Sequence, residues 1–276
     1  MRSKTITLLA IAFGLGAAQA ASAADMPARM PAKAPMIAPA PVFSWTGCYI
    51  GGNVGGKWAR TSGSVDVPAS TGLAGPTPAG SVPFGSDGNN NGTFVGGGQI
   101  GCNYQTGQVV FGVEGDADWQ HFDVTRTVGV APPAPFVAGD SFNASSRWQA
   151  SFRGRIGYAW DRTLLYATGG VAFTELKTGS NWIAVGIFPA TVASDSATLV
   201  GATFGGGLEY AFWQNLSLGV EGRYTWYGNH TFNAGVLSTA VIPGVAPVFT
   251  TAPTTQTIKL STAEVLLKLN YRFGGF

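Results

Sequence analysis

Charged side chains recur at every second or fourth position within short segments of this 276-residue chain. Four segments carry them: Glu114, Asp116 and Asp118; Arg153 and Arg155; Glu221 and Arg223; Glu264, Lys268 and Arg272. Carboxylates and cations in nearly equal number can neutralise one another as ion pairs, or they can line a narrow path for ions.

Apolar residues occupy the alternate positions of the same segments. In 109–120, Phe111, Val113 and Trp119 alternate with the three carboxylates. In 147–160, the predicted polar face holds Arg147, Gln149, Ser151, Arg153 and Arg155. Successive side chains of a β-strand point to opposite faces, so each segment is predicted to be a strand with one apolar and one charged face.

Eight such strands are predicted, and the gaps between them alternate in length. The strands are 48–59, 94–105, 109–120, 147–160, 164–176, 199–212, 216–227 and a last one that ends at 273. The short gaps are 106–108, 161–163 and 213–215, and the long gaps are 60–93, 121–146, 177–198 and 228–256. This pattern predicts an all-β, eight-stranded antiparallel up-and-down transmembrane barrel with short periplasmic turns and four long extracellular loops.

The free energy of exposing charge to lipid decides which face is inside. A charge on the lipid face costs about 2–4 kcal/mol at the membrane midplane, so the strand charges together would exceed a typical total stability of about 5–15 kcal/mol. They are therefore predicted to face the lumen. Only 11% of the residues are charged, against about 25% in soluble domains, and a net charge of +2 predicts no nucleic-acid partner.

The lumen of an eight-stranded barrel is just wide enough for side chains to fill. The third and fourth strands should be antiparallel neighbours, which brings the carboxylates of one strand beside the arginines of the other. We therefore expect a buried salt-bridge network that plugs the lumen and fixes the strand register. The alternative is a narrow ion path through a wetted network.

The first residues resemble a secretory signal. Basic Arg2 and Lys4 precede an apolar run, and Ala21-Ser22-Ala23 supplies the small residues of a cleavage site. Cleavage after Ala23 is predicted to remove residues 1–23. Residues 24–44 are rich in Pro and Ala and are predicted to form a periplasmic spacer before the barrel at 45–276. The expected location is the outer membrane of a Gram-negative cell, with both termini in the periplasm.

Cysteine and histidine residues suggest little further chemistry. Cys48 and Cys102 lie near the ends of the first two strands and on the same face, so they either form a cross-strand disulfide or remain two small lipid-facing hydrophobes. A lipid hydrolase would need a His beside a Ser and a carboxylate, and His121 has no Ser close by in its strand. We expect no enzymatic activity, no cofactor and no metal.

Several short motifs together resemble the outer-membrane immunogenic proteins, a family of small porin-like barrels. The motifs are Ser44-Trp45-Thr46-Gly47-Cys48-Tyr49-Ile50-Gly51-Gly52-Asn53, Arg155-Ile156-Gly157-Tyr158-Ala159, Leu164-Leu165-Tyr166-Ala167-Thr168-Gly169-Gly170, Val220-Glu221-Gly222-Arg223-Tyr224 and Leu269-Asn270-Tyr271-Arg272-Phe273. The resemblance implies a barrel like the OmpA transmembrane domain, without a peptidoglycan-binding domain. It also implies a terminal aromatic that the barrel-assembly machinery reads, for which Tyr271, Phe273 and Phe276 are the candidates.

Three functions are compatible with these features. The first is a structural role in envelope integrity with a plugged lumen. The second is a narrow channel for small solutes, and the third is an adhesin that acts through its loops. The expected partners are outer-membrane lipid and lipopolysaccharide, the barrel-assembly machinery, and host or surface ligands of the loops.

Overall fold

The computed structural model describes residues 43–72, 75–77, 79–84, 91–130, 132, 136–183, 190–239 and 250–274. The predicted signal sequence with its cleavage at Ala23, most of the spacer, and Phe276 lie outside the described residues. The strands are β1 (Gly47–Val67), β2 (Ser70–Gly72), β3 (Gly75–Thr77), β4 (Gly80–Phe84), β5 (Asn91–Thr106), β6 (Val109–Thr127), β7 (Ser141–Trp160), β8 (Thr163–Trp182), β9 (Thr191–Ala211), β10 (Leu216–Thr239) and β11 (Thr250–Phe273).

Eight of these strands close into a ring. Strands β5 to β11 pair in sequence order, β1 pairs with β5, and β11 returns to pair with β1. Every pairing is antiparallel, which confirms the predicted barrel. Strand β4 extends the sheet beside β1, and β2 with β3 forms a separate ribbon. In the part of the chain that the structure describes, no helix is long and apolar enough to cross a membrane.

The two ends of the ring differ as the gap lengths predicted. Short connections at 107–108, 161–162 and 212–215 lie at one end, which we call the turn end. The opposite end, which carries the longer connections, is called the loop end. The strands are longer than predicted, because β6 continues to Thr127, β8 to Trp182 and β10 to Thr239. Much of the sequence assigned to loops is therefore strand.

The outer face of the turn-end half is apolar. Phe152, Leu208 and other large apolar side chains are about half exposed there. Four tryptophans on the outer face mark the upper limit of this band, where upper means toward the loop end. We call them the Trp girdle: Trp58, Trp119, Trp148 and Trp226. Trp148 and Tyr158 are ten residues apart on β7, which corresponds to about 33 Å along the strand. At a strand tilt of about 40° this gives a band about 25 Å tall, the height of a membrane-spanning barrel surface.

Beyond the Trp girdle the polarity of the two faces reverses. Ala59 follows Trp58, Phe122 follows Trp119 by three residues, and Tyr227 follows Trp226; all three of these apolar residues are buried in the interior. Polar residues such as His121 of β6, Asn229 of β10 and Lys259 of β11 lie on the outer face at this level. The strands continue past the girdle because the alternation continues, with apolar residues now on the inner face.

A β-bulge on β7 corrects one sequence-based assignment. The register of β7 with β8 shifts between Ser145 and Gln149. On either side of this shift, different alternate positions of β7 face inward. Arg147 was predicted to share the inner face with Gln149, but it is exposed on the outer face. An extra residue in one strand of a pair reverses the side on which the following side chains point.

Candidate functional site in the barrel lumen

A network of ion pairs fills the lumen inside the apolar band. Six carboxylates face five cations, and all eleven residues are buried: Glu114, Asp116, Asp118, Glu209, Glu221, Glu264, Lys57, Arg153, Arg155, Arg223 and Lys268. They come from β1, β6, β7, β9, β10 and β11. Side chains from six strands therefore meet across the ring.

Arg223 joins the carboxylates at the upper level of the network. Its Nη1 atom donates to Asp116 Oδ2 at 2.9 Å, and its Nη2 atom donates to Asp118 Oδ2 at 2.9 Å. Its Nε atom donates to Glu264 Oε2 at 2.8 Å. One guanidinium thus contacts three carboxylates, a geometry that its rigid fork of donors suits.

Arg153 and Lys268 share carboxylates at the level below. Arg153 pairs with Glu114, Asp116 and Glu221. Lys268 Nζ lies 2.6 Å from Glu114 Oε1 and 3.1 Å from Glu221 Oε2. Glu114 is also the register partner of Arg153 on the neighbouring strand, as the predicted pairing of the third and fourth strands requires.

Arg155 forms the lowest level, near the turn end. Its Nη2 atom donates to Glu209, and its Nη1 atom donates to Tyr49 Oη at 3.1 Å. Its guanidinium carbon also lies 3.6 Å from the centre of the Tyr166 ring. The two tyrosine hydroxyls donate to carboxylates of the level above, from Tyr49 to Glu114 at 2.6 Å and from Tyr166 to Glu221 at 2.8 Å.

Inward-facing glycines make room for the two tyrosines. A Cβ atom on Gly101 would lie 2.5 Å from the Tyr49 ring, and one on Gly207 would lie 2.7 Å from the Tyr166 ring. Both distances are shorter than side chains tolerate. The glycines of these strands therefore allow a wide aromatic ring to cross a narrow lumen.

Sequence reasoning missed two members of the network, Lys57 and Glu209. Lys57 Nζ lies 3.1 Å from Glu264 Oε1, and Glu209 pairs with Arg155. A signal for both was present, because Lys57 alternates with outward Trp58 and Glu209 lies between outward Leu208 and Tyr210. Their strands carry many glycines, so the alternation there is weaker.

Arg272 was predicted to belong to the network, and the structure places it elsewhere. Its guanidinium stacks on the Phe43 ring at 4.4 Å, and Nη2 donates to the Gln214 carbonyl at 2.7 Å. The residue is only partly buried. Arg272 is four residues after Lys268 and points to the same face of β11. It lies at the turn end of the strand, however, where the side chain reaches the rim instead of the lumen.

Neutral side chains lie in the interior at the turn end. Trp45 is buried beside Val110, Leu164 and Ala211, and its Nε1 atom donates to the Asp161 carbonyl at 3.1 Å. The cavity between Trp45 and Glu209 has a volume of about 10 Å³. A cavity of this size is at the lower limit for one water molecule.

A polar layer and an apolar cluster lie in the interior toward the loop end. Gln120 donates to Ser146 at 2.8 Å, and Ser146 lies 2.8 Å from Thr174. Above them lies the apolar core of the loop-end half, whose members include Val65, Phe122, Phe142, Leu176, Trp182, Leu199, Phe232, Ile258 and Leu260. The lumen is thus occupied by side chains at the turn end, along the ion-pair network and toward the loop end.

Cys48 and Cys102 are register partners on β1 and β5, and the structure joins them in a disulfide. Tyr271 and Phe273, two of the three candidates for the assembly signal, are about half exposed on the outer face of β11. They lie at the turn end, in the same band of outward aromatics as Tyr158.

The histidine that the hydrolase hypothesis required lies on the outer surface. His121 Nε2 is 2.9 Å from Asp123 Oδ2, and Arg147 Nη2 is 3.3 Å from the same atom. Strand pairing brings Ser145 opposite Asp123, which the sequence did not indicate. Among the described residues, no hydrogen bond joins Ser145 to His121.

Comparison with known proteins finds relatives among outer-membrane proteins. The 31 kDa outer-membrane immunogenic protein of Brucella melitensis is 34% identical over 197 residues, which is 68% of this chain and 75% of that protein. The 25 kDa outer-membrane immunogenic protein of Brucella abortus is 26% identical over 234 residues, or 85% of this chain and 82% of that protein. The crystal structure of Ail, the attachment invasion locus protein of Yersinia pestis, aligns with a TM-score of 0.36 at 13% identity, covering 82% of this chain and 99% of that chain.

The family model described as "Outer membrane protein beta-barrel domain" matches residues 6–273, nearly the whole chain. The resemblance to outer-membrane immunogenic proteins that the sequence motifs suggested is confirmed by these relatives. The chain therefore belongs to the outer membrane protein beta-barrel family and is a barrel of the outer membrane.

Proposed function

We propose that this protein is a structural barrel of the outer membrane that supports envelope integrity and does not conduct solutes. The observation that carries the proposal is the occupied lumen. Ion pairs cross the ring at three levels, with Trp45 below them and an apolar core above. A continuous water path would have to pass through all of these layers.

The energetics of the network favour a fixed plug. Arg223 contacts Asp116, Asp118 and Glu264. Displacing this side chain would leave buried carboxylates without partners, which costs about 3–5 kcal/mol for a broken buried pair. A passing ion would have to bear that cost at each level, so conduction through the resting barrel is disfavoured.

We further propose that the turn end faces the periplasm and the loop end faces the exterior. Phe43 and Gly274 lie at the two ends of the described chain, and both are beside the turn end. The orientation puts the predicted Pro/Ala spacer and the terminal aromatic in the periplasm, where the barrel-assembly machinery would read Tyr271 or Phe273. It also puts the charged, polar outer surface of the loop-end half in water.

Planar-bilayer recording tests the plug directly. The refolded wild-type barrel is expected to give no stable unitary current steps under conditions in which a general porin gives them. Heat-dependent gel mobility of the same sample verifies that the barrel is folded. Unitary steps that disappear in Arg153→Ala or Glu114→Ala would overturn the proposal in favour of a narrow channel.

A deletion strain tests the envelope role. Loss of the protein is expected to raise sensitivity to detergent, and the wild-type gene should restore resistance. A variant that lacks residues 240–249, the connection between β10 and β11, should restore resistance equally well, because a structural role depends on the barrel. Resistance that depends on this connection would instead indicate a function carried by the loops.

A further inference from the structure

The seam between β1 and β5 is rich in glycine. Thirteen residues of β1 pair with thirteen of β5, and nine of these pairs contain at least one glycine. Lys57 is the only charged residue in the thirteen pairs, and its partner is Thr93. Pairs of side chains across two strands favour one register over another, and a glycine supplies no side chain to such a pair. The residues along this seam therefore specify its register weakly.

Three other seams hold an ion pair between direct register partners. Lys57 lies opposite Glu264 across β1 and β11, and Arg223 lies opposite Glu264 across β10 and β11. Glu114 lies opposite Arg153 across β6 and β7. A slip of one residue would turn charged side chains toward lipid, so the alternation of the two faces excludes it in every seam. A slip of two residues keeps every side chain on its face, and only paired side chains oppose it.

The register of β1 with β5 affects the width of the whole ring. A path that follows register partners once around the ring from Tyr49 returns to β1 at Ala59, ten residues nearer the loop end. The path is Tyr49, Gly101, Glu114, Arg153, Gly170, Thr203, Thr225, Thr262 and Ala59. This offset is the shear of the barrel, which together with the number of strands fixes the strand tilt and the diameter. A slip of two residues between β1 and β5 would change the shear from ten to eight or twelve, and the ion pairs would have to cross a lumen of different width.

Cys48 and Cys102 are direct register partners in this seam, and a disulfide joins them. Both lie on the outer face at the turn end, whereas the connection from β1 to β5 is at the loop end. A bond between these two positions admits one register and excludes a slip in either direction. We propose that oxidation of the two thiols in the periplasm, before the ring closes, sets the register of β1 with β5 and thereby the shear of the barrel.

The oxidant that this step requires is a periplasmic protein with a reducible disulfide. The thiolate of one cysteine attacks that disulfide and forms a mixed disulfide, and the thiolate of the other then displaces the oxidant. The bond between Cys48 and Cys102 forms, and the disulfide of the oxidant breaks. The two electrons and two protons that the chain loses appear on the two thiols of the oxidant. This inference goes beyond the proposed structural role and does not depend on whether the lumen conducts.

Cysteine reporters in the full-length barrel, refolded into lipid vesicles, test the proposal. Ile50 and Ile100 are register partners on the same outer face, two positions further along the seam. In a Cys48→Ser/Cys102→Ser background, Ile50→Cys/Ile100→Cys is the native-register reporter when it is folded reduced and oxidised afterwards. Cys48→Ser/Ile50→Cys retains Cys102 and is the slipped-register reporter. In the native register its two cysteines are diagonal neighbours about 7–8 Å apart, too far for a disulfide.

Folding without the bond is expected to give cross-links in both reporters. Wild-type chain that is oxidised in denaturant before folding should give about fivefold more compact barrel, by heat-dependent gel mobility, than chain folded reduced, because reduced chains divide among several registers. Reduction after folding should leave the compact barrel unchanged. A cross-link in the native-register reporter alone would overturn the proposal. An equal loss of compact barrel on reduction after folding would also overturn it, because the bond would then be only a stabilising link.

A matched pair of variants keeps the test informative if chains without the bond do not fold. Ile50→Cys/Ile100→Cys in the double-serine background, oxidised before folding, should restore the wild-type yield because its bond admits the native register. Cys48→Ser/Ile50→Cys, oxidised in the same way, should not restore it, because its bond is displaced by two residues. Equal restoration by the two variants would show that any link between the strands suffices, and would overturn the proposal.

Thiol trapping in cells tests the order of events. Wild-type chain that accumulates in the periplasm after depletion of the barrel-assembly machinery is expected to be oxidised already, and therefore to resist labelling by a maleimide. Labelling of Cys48 and Cys102 in that accumulated chain, with oxidation only in inserted barrels, would overturn the proposed order.

Discussion

The turn-end and loop-end halves of the barrel use the same sheet with opposite polarity. Below the Trp girdle, the outer face is apolar and the lumen holds ion pairs, as with Leu208 outside and Glu209 inside. Above it, the outer face is polar and the interior is an apolar core, as with Lys177 outside and Leu176 inside. Strands β8 and β9 each pass through both environments without interruption.

The solvent around each half accounts for the difference. Hydrocarbon makes outward charge costly, so the membrane band encloses its charges and must pair them. Water around the loop-end half makes apolar surface costly, so this half buries its apolar residues as a soluble domain does. The ion-pair network depends on each partner being present, whereas the apolar core depends on volume and tolerates conservative exchange.

The largest expected effect is in the ion-pair network. Arg223→Met should lower the free energy of unfolding by about 3–5 kcal/mol, because Asp116, Asp118 and Glu264 would remain buried without this partner. Urea unfolding in lipid vesicles measures it. Arg126→Met, at an exposed position of β6, is the control and should change stability little. A loss below about 1 kcal/mol in Arg223→Met would indicate that the network is wetted and adaptable.

A smaller effect is expected in the apolar core. Leu176→Ala should cost about 3 kcal/mol, because it leaves a cavity at a fully buried position. Leu176→Met, which conserves the volume, should cost less than about 1.5 kcal/mol in the same assay. Equal losses in the two variants would contradict the view that this half is stabilised by packing.

The smallest effect is expected at the exposed ion pair outside the barrel. Asp123→Asn removes the carboxylate beside Arg147 and His121, and should change the free energy of unfolding by about 0–1 kcal/mol because water screens the pair. Thermal unfolding at low and high salt measures the remaining contribution. An effect as large as that of Arg223→Met would remove the distinction between buried and exposed pairs.

Most of the architecture could be predicted from the sequence, and the errors have identifiable causes. The alternation in 109–120 and 216–227 was strong enough to assign Glu114 and Arg223 to the lumen. The predicted loop boundaries were wrong because apolar side chains move from the outer face to the inner face at the Trp girdle. In β6, Phe122 and Val124 point inward, at the alternate positions that charged residues occupy earlier in the strand. Arg147 was misassigned because a bulge leaves no mark in the local pattern.

The residue pattern alone is enough to assign the two faces of the membrane band, because period-two alternation combined with the cost of charge in lipid leaves one face for each kind of residue. Which carboxylate pairs with which cation depends on the folded ring. Lys268 and Glu114 are 154 positions apart in the chain, and they meet across the closed lumen. Such a contact depends on ring closure and on the register of every intervening strand, which no local pattern contains.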